Sequence, residues 1–341
     1  MSTNRTPSET VKNLAARMLP ARRSRKATGP VREADWRARE LAQANEDVRP
    51  TSRSIPQLGT SSRFRIAGTA SVIVGALLIG LVAQLVGVSQ LSYARDQQLA
   101  LDDFRYDLAN ATAPVGQVAS DGKLLAAGTP VAVLDIPALG IREVVLEGTT
   151  SHTMLSGPGH RRDTPLPGQV GASVFYGRQA SFGAPFGQIG SLKVGDKITA
   201  TTGQGAAKYT VTDVRYTGDA LPAPMAAGEG RLTLVSAAGI PFAPDSIVRV
   251  DAKLTSAAQE SPGKVVGYPA LDDNELTMAG DSSAMPLLVL GILLLLAALG
   301  LFTLSRRYWG RWQTWVVAVP VLIAVGGFCA QQVAVLLPNL I

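Results

Sequence analysis

Few residues in this chain are of a type that could do covalent chemistry. The stretch Leu232 to Gly239, LTLVSAAG, has the look of a β-strand that delivers a nucleophile at its end, yet what it delivers is Ser236, Ala237 and Ala238. Side chains alternate faces along a strand, so Ser236 and Ala237 point to opposite sides and only one of them can face a cleft. The sequence has one cysteine, Cys329, which lies in a long apolar run, and two histidines, His152 and His160. His152 in TTSHTM reads as an exposed loop residue, and His160 in GPGH as a turn or core histidine. Neither has a second histidine or a carboxylate at ligand spacing, so no metal is expected. No glycine-rich loop followed by Lys and Ser is present to cradle a phosphate, so no cofactor is expected either. Arg178, after the ASVFYG run, and Arg249, in DSIVRV, are permanent cations; they cannot serve as bases, but a cation beside a cleft can hold a carboxylate.

The elements that carry these residues are short and rich in Val, Ile and Leu. VAVLDIPALGI, REVVLEGTT, ASVFYG, DKITATT, AKYTVTDVRYT, GRLTLVS and DSIVRVDAKL are strand-like runs broken by Pro and Gly, with no helical run between them. That pattern predicts a mainly β body over 129–254, an antiparallel barrel. Before it, 91–128 reads as a helical stalk and linker, with Leu99, Phe104 and Leu108 at helical spacing, acting as a spacer. After it, 255–284 lacks sustained periodicity and reads as a flexible tether. With no cysteine available for a disulfide, the body must be held by a packed core.

Membrane segments frame this body. The charged fraction is only 17% and the mean hydropathy is +0.18. Three stretches, 66–88, 285–304 and 314–337, approach the roughly 20 apolar residues needed to cross a bilayer. Residues 1–65 hold 14 Lys and Arg against 6 Asp and Glu, whereas 89–284 hold 15 against 20. Basic segments stay inside, so the first 65 residues are expected as a basic, largely disordered cytoplasmic tail. The loop 305–313, with Arg306, Arg307 and Arg311, is expected inside as well, which leaves the barrel and Ile341 outside. The result is a multi-pass plasma-membrane protein. The second and third spans, with Gly326, Gly327, Gln331 and Gln332, are expected to join a membrane complex. The tail is poor in aromatics and has no reader motif, so nucleic acid is not an expected partner.

The body resembles the sortase family, the membrane-anchored cysteine transpeptidases of Gram-positive cell envelopes, in its class E or D form. The likeness runs in order through LDIPALGIREVVLEGT, GPGHRRDTPLPGQVGASVFYG, FGAPFGQIGSLKVGDKITATT, GRLTLVSA and VRVDAKL. The resemblance implies a sortase barrel and three catalytic groups: a cysteine closing the LTLVSA strand, a histidine shortly before GAPF, and an arginine opening the last strand. This sequence has Ala237, Arg178 and Ile247 at those positions. The expectation is therefore a catalytically degenerate member that binds an extracytoplasmic peptide or envelope protein, or serves as an assembly scaffold. Its groove candidates are Arg178, Ser236, Ala237, Arg249 and His160. The rival expectation is an active enzyme with relocated residues.

Overall fold

The computed structural model describes residues 75, 78–119, 121–308 and 311–341. The basic tail and most of the first expected span lie outside the described residues. Eight strands close into a barrel: β1 (Pro130–Ile136), β2 (Ile141–Glu147), β3 (Gly159–His160), β4 (Gly171–Tyr176), β5 (Lys197–Thr202), β6 (Gly205–Arg215), β7 (Gly230–Ile240) and β8 (Ala243–Leu254). The order around the barrel is β1-β2-β3-β4-β7-β8-β6-β5. Local chemistry makes the hairpins. Between β1 and β2 a single 3-10 turn begins at Pro137 and ends at Gly140, whose left-handed φ of 64° reverses the chain without a Cβ clash. Val131, Leu134, Ile136, Phe175, Ile198, Leu232, Leu234 and Val250 fill the interior.

The barrel is not wholly antiparallel, which corrects the expectation. β2 pairs in parallel with β3, and β4 in parallel with β7. A parallel pair needs a long crossover, and the one from β4 to β7 contains the whole β5–β6 hairpin. The seven strand-like runs in the sequence miss the two-residue β3 and do not say which neighbour each strand takes.

The helices and connecting segments also differ from expectation. A π-helical turn at Gln84–Val88 runs straight into α1 (Ser89–Ala109). α1 does more than space the barrel from the membrane. β3 is only two residues long and pairs with Leu146 and Glu147, so Val144 on β2, which pairs with Val133 of β1 on one side, has no strand neighbour on the other. The Gln97 amide takes that place, accepting from Val144 N at 2.7 Å and donating to Val144 O at 3.0 Å. The segment 255–284, expected as a flexible tether, is a strap bonded to the barrel. The N–H groups of Val265 and Val266 donate to Gln117 Oε1 at 2.6 and 2.8 Å, and Thr149 Oγ1 donates to Glu275 O at 2.7 Å. Absence of periodicity hides such anchoring, because the strap is held by single polar contacts and has no apolar face.

Two helices follow, α2 (Met285–Tyr308) and α3 (Arg311–Leu336). Among the described residues these are the two helices long and apolar enough to cross a membrane, by length and composition. They pack side by side, and a side chain at Gly291 of α2 would collide with Cys329 and Phe328 of α3. The chain's single cysteine is thus a helix-packing residue.

Candidate functional site

β7 has two covered faces. Leu232 and Leu234 point into the barrel core, whereas Val235 and Ala237 join a second cluster outside it, with Met154 and Tyr176. Ala237 pairs with Ile247 across β7 and β8, and Ile247 packs on the same cluster. Two of the three positions singled out in the sequence therefore face one another in a groove on the outer face. Arg249 lies two cross-strand pairs further along, opposite Val235, and is half-buried. Directly opposed residues share a face, which puts Arg249 on the groove side. Ser236 has the other orientation. Its hydroxyl is fully buried and donates to Gly177 O at 2.9 Å.

Arg178 completes the groove, and its surroundings differ from those of a surface cation. It follows β4 and is wholly buried. Nε donates to Met154 O at 3.1 Å, Nη2 to Ser151 O and Oγ at 3.0 and 2.7 Å, and Nη1 to Ser181 Oγ at 3.2 Å. The Phe182 ring lies 5.5 Å from the guanidinium carbon. All of these partners are neutral. Burial pushes the Arg178 pKa down to about 9, which still leaves it protonated at neutral pH. The loop that follows is held in left-handed backbone at Phe182, Gly183 and Ala184, and the strap at Met278. Such conformations are costly for residues with side chains, and they persist where the surroundings hold them in place.

The groove is filled by the chain itself. Past α3, Leu340 is fully buried in the cluster with Ala237 and Tyr176, and its carbonyl accepts from Gln179 N at 2.9 Å. Ile341 O accepts from Arg178 Nη1 at 3.0 Å and from Ser181 Oγ at 2.7 Å. Burying a leucine side chain in this way is worth about 1.5–3 kcal/mol before the ordering of the segment is counted. Sequence reasoning missed Ser151, Gln179, Ser181 and this segment. The only local signal was Pro338, which cannot continue a helix and marks where the chain leaves α3.

His160 lies elsewhere, in the core beneath the strap. Its Nδ1 is 2.7 Å from Glu147 Oε2, and its Nε2 is 3.1 Å from both Pro165 O and Thr164 Oγ1. None of these partners is shared with Arg178 or Leu340, so His160 is not brought into the groove. Among the described residues no group of three or more His, Cys, Asp and Glu side chains is arranged to hold a metal ion.

Comparison with known proteins bears on the barrel. Residues 134–243, from β1 to the first residue of β8, match the family model of the sortase domain. The barrel is a sortase domain. Among solved structures, the chain is similar to a sortase D transpeptidase from Clostridium perfringens, at 21% identity over 48% of this chain and 99% of that one, with a TM-score of 0.39. It is also similar to sortase E from Streptomyces avermitilis, at 27% identity over 39% and 91% of the two chains, TM-score 0.32. A third similar structure is sortase C-1 from Actinomyces oris, at 25% identity over 37% and 75%, TM-score 0.32. No curated protein matches the chain. Sortases are normally cysteine transpeptidases, whereas residues 134–243 here contain no cysteine.

Proposed function

We propose that this protein is a non-catalytic sortase-domain membrane protein whose barrel holds a peptide segment in the groove. One observation carries the reading: the position that would close β7 with a nucleophile is Ala237, paired with Ile247 and packed among Met154, Tyr176, Val235 and Leu340. Acyl transfer needs an activated nucleophile and a base that can take its proton. Arg178 is not such a base at neutral pH, and the Ser236 hydroxyl is directed away and engaged with a backbone carbonyl. Loss of a nucleophile alone removes most of the chemical rate. The groove, by contrast, keeps donors to the main chain of an extended segment, the Gln179 N–H and the Arg178, Ser151 and Ser181 side chains.

The test is intact-mass spectrometry of the full chain in detergent, incubated with a sorting-type peptide. The unmodified mass should persist, and Ser236→Ala should leave the protein's cellular role intact. A covalent peptide adduct would overturn the reading.

The same proposal places the barrel outside the plasma membrane of a Gram-positive type of envelope, on three spans, with residues 1–65 and 305–313 inside. In a Cys329→Ser background, Ser120→Cys should react with an impermeant thiol reagent in intact cells, whereas Ser8→Cys and Gly310→Cys should not. Labelling at position 310 would overturn this topology.

A further inference from the structure

Residues 337–341 leave α3 and enter the groove held at every step. Ser151 Oγ donates to Leu337 O at 3.0 Å. Asn339 is fully buried: its N–H donates to Ala279 O of the strap, and its Nδ2 donates to Thr149 O and Leu276 O, each at 2.8 Å. Leu340 and Ile341 then meet Gln179, Arg178 and Ser181 as described. We propose that this segment is the resident ligand of the groove, an intramolecular latch that joins α3 to the sortase domain and that any other peptide must displace.

The proposal rests on the non-catalytic reading and names that site's ligand. Three observations carry it. First, recognition is mainly of the main chain, through the oxygens of residues 337, 340 and 341 and the N–H of residue 339, with one apolar side chain, Leu340, filling the pocket beside Ala237. A site of this kind suits an extended peptide with a small apolar anchor rather than a folded surface. Second, if the segment left, Arg178 Nη1 would keep only the Ser181 hydroxyl, and Ser181 Oγ would lose the carbonyl to which it donates. Buried donors stranded in this way are costly, so the vacated groove has a drive to accept another carbonyl-bearing chain. Third, the groove is flanked by left-handed backbone at Phe182, Ala184 and Met278, non-glycine residues that the filled groove helps to hold. A tethered segment also acts at an effective concentration of roughly millimolar, so it outcompetes free peptides present at micromolar levels.

The experiment uses the full chain in detergent micelles and, as probe, a fluorescein-labelled synthetic peptide with the sequence of residues 336–341, LLPNLI. The intact chain should bind it weakly. Leu340→Asp places a carboxylate where an apolar pocket rejects it and should expel the segment, raising probe affinity by about tenfold or more. Adding Arg178→Gln to Leu340→Asp should abolish that gain. Hydrogen exchange provides the direct readout: the Gln179 amide, bonded to Leu340 O, should lose protection in Leu340→Asp, while the Gly177 amide, bonded to Val235 O within the barrel, should keep it. Unchanged protection at Gln179 would show that the segment does not occupy the groove, and the proposal would fall. Exposure of Gln179 with no gain in probe binding would show that the groove is no receptor for this peptide, and it would fall equally. Adduct mass measured on the same samples reports the non-catalytic reading separately, so the two failures are distinguishable.

Discussion

Two arginines are buried against this barrel, and they are solvated in opposite ways. Arg215 on β6 donates to Asp251 on β8 through Nε at 2.7 Å and Nη2 at 2.6 Å, and the other carboxylate oxygen accepts from Thr233 Oγ1 at 2.7 Å. All three residues belong to adjacent strands in fixed register, so the charge and its counter-charge arrive together when the barrel closes. Arg178 is bonded to no Asp or Glu side chain; its partners are the Ser151 and Met154 carbonyls, the Ser151 and Ser181 hydroxyls and Ile341 O. Ser151, Met154 and Ser181 lie outside the long strands, and one acceptor, Ile341 O, comes from a segment far along the chain. A buried charge with no counter-charge on the barrel itself is expensive, and a fold that needs only stability has cheaper ways to fill the space. The contrast separates a cation that belongs to the framework from one that waits on a removable partner.

The comparison can be broken at either end. Asp251→Ala leaves Arg215 charged and alone, and should cost the full chain in detergent about 3–5 kcal/mol, read as a fall in its chemical or thermal unfolding midpoint. Arg178→Met removes charge and hydrogen bonds together. It should cost the barrel less, about 1–3 kcal/mol, while exposing the Gln179 amide to exchange. Equal losses from the two changes would mean that both arginines are framework groups. Ala237→Trp overfills the pocket that holds Leu340, and should cost about 1–3 kcal/mol, confined to release of residues 339–341, with the Gly177 amide still protected. Global unfolding of that variant would show that the groove and the barrel core are one packing unit.

How much of this was legible beforehand follows from the range of each interaction. The period of two along β7 was enough to set Ser236 and Ala237 on opposite faces, and the ordered motifs from Leu134 to Leu254 pointed to the sortase domain. The parallel pairing of β4 with β7 was not legible, because strand composition carries no record of a crossover. Nor was the burial of Arg178, whose partner Ile341 is 163 residues away. The docking of α1 was hidden for a related reason: Gln97 looks like any exposed helical glutamine until β3 proves too short to cover Val144. First-order patterns such as alternation and apolar length survive in sequence, whereas single polar contacts between distant segments do not.

A half-buried carboxylate extends the comparison with the smallest effect. Glu143 on β2 has no cation bonded to it; it accepts from Tyr93 Oη of α1 at 2.9 Å. Burial raises its pKa above the ordinary carboxylate range, and the Tyr93 hydrogen bond only partly offsets that rise. Its neutral form therefore suits the docked helix better than its charged form. The contribution is fully present below the ordinary carboxylate pKa and is lost as pH rises through the raised value, the reverse of a salt-bridged aspartate. Docking of α1 should accordingly loosen as pH climbs out of the acid range, seen as faster hydrogen exchange in residues 97–104 after correction for the intrinsic rate. Glu143→Gln keeps an acceptor for Tyr93 and carries no charge, so it should flatten that pH dependence while shifting docking by no more than about 1 kcal/mol. A slope that survives in Glu143→Gln would assign the effect to another group.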